Sequence, residues 1–190
     1  GLLLQPGLWL ALLGALPVFV DIDPKTYNIN PAEIEKHITR RTRAIIPVHL
    51  FGQPGDMTFV MRIARRYNLC VIEDSCETMF VNWRGKSVGS FGDIACFSTY
   101  AAHLLNTGVG GLVITKNKKL ATILRSLANH GRDAIYIPGH TFARTGRKNT
   151  PMIIARRFRF VRLGYSFRGT EFQAALGLAQ LETHSKMIAR

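Results

Sequence analysis

Two rhythms of apolar and polar positions alternate along this chain. Short, almost wholly apolar runs occur at Pro17-Val18-Phe19-Val20, Ala44-Ile45-Ile46-Pro47-Val48 and Leu69-Cys70-Val71-Ile72. The first ends in Asp21 and the third in Glu73-Asp74, and each run predicts a buried strand. Further strands are predicted over 94–98 and 111–115. Between the strands the spacing changes. Residues 56–67, DMTFVMRIARRY, place apolar side chains at helical intervals, and a second helix is predicted over 117–129. Asn30-Pro31-Ala32-Glu33 opens an earlier helix, with Asn30 as cap, Pro31 in the first turn and Glu33 completing a capping-box pattern. Thr170-Glu171-Phe172-Gln173 has the same signature and opens a long terminal helix. Strands alternating with helices predict an α/β fold, a mainly parallel sheet with helices on both faces.

The first twenty residues, GLLLQPGLWLALLGALPVFV, imitate a signal peptide or membrane span. No basic segment precedes the apolar run, and Gln5-Pro6-Gly7 interrupts it. The uninterrupted remainder is shorter than the roughly 20 residues a spanning helix needs. A buried helix leading into the first strand is therefore expected, and no membrane partner. The chain opens without an initiator Met, so a fragment of a longer protein is expected.

Hydrophobic content of 47% and charged content of 19% describe a globular domain and exclude a disordered one. Three cysteines, Cys70, Cys76 and Cys96, have no metal-ligand spacing and read as free thiols in a reducing compartment. The formal charge of +13 changes the picture more. From His140 to Gly169 there are eight Lys/Arg and no Asp/Glu, including Arg156-Arg157-Phe158-Arg159-Phe160-Val161-Arg162. Three readings stand: a nucleic-acid surface, a region attracting nucleotide diphosphates, or a strand with one solvated face. No helix-turn-helix, zinc-finger or RNA-recognition pattern accompanies the stretch, so nucleic acid is not the expected partner.

In parallel sheets, ligands gather at the carboxyl ends of strands. Asp74 sits at one such end and Ser98 at another, with His103 five residues beyond in a loop that exits through Gly108, Gly110 and Gly111. His49, in PVHLFG, also follows a strand and reads as a loop anchor. Several segments together resemble one family. These are PVFVDIDPKTYNINPAEIEKHI, AIIPVHLFGQPGDM, VIEDSCE, GKSVGSFGDIACFS, TGVGGLVIT and GYSFRGTEFQAALGLAQLE. In this order they resemble the DegT/DnrJ/EryC1/StrS sugar aminotransferases, which use pyridoxal phosphate (PLP) and have the aspartate-aminotransferase fold.

The resemblance implies an incomplete fold type I large domain over residues 1–163. Residues 164–190 would then lead to a small C-terminal domain. It implies that Asp74 faces the pyridine nitrogen, that Glu77 stands where most relatives carry Gln near the phenolic oxygen, and that Ser98 donates to the phosphate. Ser166 falls where relatives often have an Asn reaching the neighbouring subunit's phosphate, and Phe80 where many have Gly. At the position of His103 the aminotransferases carry the lysine that forms a Schiff base with PLP. Imidazole cannot form that bond, but it moves protons near neutral pH. One branch makes the same replacement: the 3-dehydratases of nucleotide-linked 4-keto-6-deoxyhexoses, which use the aminated cofactor (PMP). The resemblance thus implies a cytoplasmic homodimer in polysaccharide or glycosylated-metabolite biosynthesis, with PLP or PMP bound non-covalently. Dehydratase-like chemistry at His103 stands beside a catalytically inactive or truncated relative, and a basic nucleic-acid-binding protein remains the reading from another class.

Overall fold

In the computed structural model, the structure describes residues 10, 11, 13–133, 155 and 158–188. A short helix α1 (Pro31–Ile34) precedes strand β1 (Ala44–Ile45), helix α2 (Met57–Tyr67) and strand β2 (Cys70–Asp74). A two-stranded hairpin, β3 (Asn82–Trp83) and β4 (Lys86–Ser87), follows. Next come β5 (Ile94–Ser98), β6 (Gly111–Ile114), and helices α3 (Lys118–Ala128), α4 (Glu171–Leu181) and α5 (His184–Ile188). The main sheet has the order β1-β2-β5-β6. β1, β2 and β5 run parallel, and β6 is antiparallel to β5.

Helix α2 forms where the sequence predicts it. Asp56 caps it by accepting from the Phe59 N–H, and Asn68 ends it in the left-handed conformation. Its buried face, Met57, Val60, Ile63 and Ala64, packs with Ile34, Ile45 and Val71 to form the core. Val71 and Glu73 are both buried, alternating with the half-buried Cys70, Ile72 and Asp74. This period of two sets Glu73 on the face with Val71 and Asp74 on the other.

Three expectations are corrected. The Pro17–Asp21 run forms no strand, and Val18 and Phe19 are 58% and 61% exposed. A strand is held by ladder bonds to a neighbour, and the pairing nearby among the described residues is the single bridge Ile22–Ile29. The run at 44–48 is a two-residue strand followed by a Val48–Asp74 bridge, because Pro47 donates no ladder bond. At α1, Asn30 accepts from the Ala32 N–H, but Glu33 closes no capping box and pairs with Lys36 at 2.7 Å. The box does form at α4, where Thr170 and Gln173 satisfy each other. Among the described residues no helix is long and apolar enough to cross a membrane.

Candidate functional site

Asp74 and Ser98 end neighbouring parallel strands. Asp74 lies opposite Cys96 in the ladder, so Ser98, two residues further, is on the same face. One strand spacing across and one pleat period along place their backbones about 8 Å apart. Asp74 is half-buried, and its carboxylate accepts the Cys76 N–H at 3.3 Å. The Ser98 hydroxyl accepts the Tyr100 N–H at 3.2 Å, which leaves its own proton available to a ligand. Gly111 lies opposite Ser98 on β6, so no side chain crowds that hydroxyl from the neighbouring strand. A carboxylate and a hydroxyl at this separation suit a ligand with a cationic ring nitrogen at one end and an anionic oxygen group at the other. PLP has both, and the donor chemistry fits it.

The loop after β5 carries His103, which is partly buried and whose backbone N–H bonds to the Tyr100 carbonyl at 2.9 Å. Threonines tie the loop at its base. The Thr107 hydroxyl donates to the Thr99 hydroxyl at 2.7 Å, and the Thr99 N–H to the Gly110 carbonyl at 3.0 Å. Helix α4 holds its outer side. Gln173 donates to the Val109 carbonyl at 2.8 Å, while Gln180 accepts the Asn106 N–H at 2.9 Å and donates to the Asn106 carbonyl. Gly177 permits this approach, since a Cβ there would sit 3.2 Å from the Thr107 methyl.

The remaining predicted residues are placed differently. A Glu77 oxygen accepts the Phe51 N–H at 2.6 Å, joining the segment after Asp74 to the loop after β1. Ser166 is exposed beside the end of α3, bridged to Asn129 and hydrogen-bonded by Arg168 at 3.2 Å. It is not brought together with Asp74 and Ser98 by any bond among the described residues. Phe80 has φ of 68°, a conformation that favours glycine, and its ring packs 5.5 Å from that of His184. Cys76 and Cys96 flank Asp74 as free thiols, and burial pushes both thiols up, away from the reactive thiolate. Among the described residues no group of His, Cys, Asp or Glu has a metal-binding arrangement.

Most of the basic stretch, including Arg156 and Arg157, lies outside the described residues. Within its described part, Arg159 pairs with Asp133 at 3.6 Å, and the exposed Phe158 and Phe160 rings each lie 5.8 Å from the Arg132 guanidinium. Those rings stack on a cation of the same chain.

Sequence reasoning missed Glu73. Its side chain is fully buried, yet it accepts four hydrogen bonds: Nε2 of His49 at 3.2 Å, and the N–H groups of Gly89, Phe91 and Gly92 at 2.8, 2.8 and 2.6 Å. A charged residue at the in-facing position of an apolar strand was the available signal, because an unpaired charge there is prohibitively costly. Burial pushes this carboxyl up, but the bonds from His49, Gly92 and Gly89 outweigh it and hold Glu73 below the ordinary carboxylate range. A lowered folded-state value means the carboxylate stabilises the fold fully above its unfolded value, about 4.3. That contribution is lost as pH falls through the folded value. Urea midpoints should therefore be flat near neutrality and drop below about pH 4. The drop should be smaller in Glu73→Gln.

Residues 9–190 match the model of the DegT/DnrJ/EryC1/StrS aminotransferase family. The GDP-perosamine synthase of Caulobacter vibrioides is 42% identical over 176 residues, which cover 93% of this chain and 42% of that protein. An E. coli GDP-4-keto-6-deoxy-D-mannose-3-dehydratase solved with bound hydrated PLP superposes with a TM-score of 0.77 at 30% identity, over 90% of this chain and 43% of that one. A mutant GDP-4-keto-6-deoxymannose-3-dehydratase with bound GDP-perosamine gives a TM-score of 0.82 at 30% identity, over 95% and 46% of the two chains. The chain thus spans under half the length of these relatives. It belongs to the DegT/DnrJ/EryC1/StrS aminotransferase family.

Proposed function

We propose that this chain contributes the cofactor face of a PLP/PMP-dependent enzyme acting on nucleotide-linked 4-keto-6-deoxy sugars, with His103 favouring loss of the C3 hydroxyl. The observation that carries this reading is a partly buried imidazole, in a loop tied at both ends, just beyond the Asp74–Ser98 pair. When bound, PMP supplies the amine that condenses with the 4-keto group and a ring that accepts electrons. Asp74 keeps the ring nitrogen protonated. Ser98 donates to the phosphate, and Ser166 reaches the phosphate of the neighbouring subunit in a homodimer. Glu77 stands near the phenolic oxygen while anchoring the Phe51 N–H. His103 takes a proton from the cofactor side and delivers one to the departing hydroxyl, since an imidazole can both accept and donate a proton. The setting is the cytoplasm, in the biosynthesis of sugar polymers or glycosylated metabolites.

The test supplies the full-length protein with PMP and a nucleotide-linked 4-keto-6-deoxyhexose, and follows the sugar by mass. The expected product has lost its C3 oxygen in step with conversion of PMP to PLP, and His103→Asn slows its formation at least about a hundredfold, the scale of general acid–base catalysis. An amino sugar as product would make the protein an aminotransferase. No turnover with cofactor retained would make it a non-catalytic relative.

A further inference from the structure

Glu73 is next to Asp74 but faces the opposite side of the sheet, so it takes no direct part in the site. Its bonds nevertheless define where Asp74 stands. The two carboxylate oxygens take two donors each: Phe91 and Gly92 on one, Gly89 and His49 on the other. Nδ1 of His49 accepts the Gly55 N–H at 3.1 Å, so the imidazole proton is on Nε2 and points at Glu73. The backbone of the same histidine meets Asp74, since the His49 N–H donates to the Asp74 carbonyl and the Asp74 N–H to the Pro47 carbonyl, each at 2.9 Å. On the other flank the Ser75 N–H donates to the Cys96 carbonyl at 2.9 Å.

The loop bound to Glu73 cannot drift from the strand. Asp93, the residue after Gly92, accepts the Val71 N–H at 2.9 Å. A Cβ at Gly92 would stand 2.7 Å from the Val71 carbonyl oxygen. Gly89 has φ of 87°, and a Cβ there would overlap the Phe97 ring at 2.4 Å. One buried carboxylate thus gathers the loop after β1, the end of β2 and the turn before β5. Only an ionised carboxylate offers acceptors alone to four donors. The glutamine amide is nearly isosteric, but it turns an NH2 group toward N–H groups and leaves buried donors unpaired.

We propose that Glu73, acting through His49 and the 89–92 turn, is a positioning residue that fixes Asp74 against the ring nitrogen of the cofactor. The inference rests on the reading of Asp74 given above. Its readout is the 15N chemical shift of the pyridine nitrogen of labelled PLP bound to the full-length protein, which reports protonation at that atom. In Glu73→Gln the shift should move toward the unprotonated value, and PLP should dissociate about tenfold more readily, the scale on which partners of ligating groups act. A core variant of comparable stability loss, Val60→Ala, should leave the shift in place. If Glu73→Gln does not fold, His49→Phe removes the Nε2 donor and should move the shift in the same direction by less. Asp74→Asn separates the two claims. If it moves the shift while the Glu73 and His49 variants match Val60→Ala, Asp74 faces the cofactor and the positioning role is wrong. If Asp74→Asn leaves the shift unmoved, the reading of the site itself fails.

Discussion

Replacing His103 with lysine should create a covalent attachment point for PLP on the loop after β5. The wild-type loop presents an imidazole, which has no primary amine to condense with an aldehyde. On the family resemblance, lysine here would supply the residue of the aminotransferases, on a loop already fixed by Thr99, Thr107, Gln173 and Gln180. After incubation with PLP and borohydride reduction, His103→Lys should carry one reduced pyridoxyl phosphate per chain, mapped to the peptide containing residue 103. Wild type should carry none there. Deoxygenation should fall at least about a hundredfold in the same variant, because the imidazole that moves the proton is gone. A lysine variant without covalent label would mean that residue 103 does not meet the cofactor.

Asp74→Ala should abolish stable cofactor retention. A hydrogen bond to a charged group contributes about 1.5–3 kcal/mol, which is about ten- to 150-fold in affinity. The alanine also removes the acceptor of the Cys76 N–H at the start of the turn that carries Glu77. Ser98→Ala removes one neutral donor at the other end of the site and should weaken binding less. Titration of each variant with PLP gives this order directly.

How far the sequence anticipates this arrangement depends on the range of the forces involved. Helix α2 is legible because its apolar spacing is local, and the observed Met57–Tyr67 falls within the expected 56–67. The ends of β2 and β5 are legible for a similar reason: continuous apolar runs stop at Asp74 and Ser98. The Pro17–Asp21 run reads as a strand by composition, but pairing is non-local, and among the described residues only the isolated Ile22–Ile29 bridge adjoins it. The hairpin β3–β4 escapes notice because its turn is Arg84-Gly85, both at positive φ, and arginine there carries none of the usual Asn-Gly signal. Glu73 escapes because its four donors come from residues 16 to 24 positions away in the chain. The clamp from Gln180 to Asn106 spans 74 positions, and only the fold brings the two together.

On the proposed function, this face of the sheet holds PLP without a covalent bond and Asp74 keeps it there. The most direct test incubates the wild-type protein and Asp74→Ala with PLP, dialyses both exhaustively and records their visible spectra before and after denaturation. Wild type should retain cofactor absorbance, release all of it unmodified on denaturation, and lose retention in the alanine variant. A colourless wild-type protein, or equal retention in both, would mean that Asp74 does not hold PLP at this face.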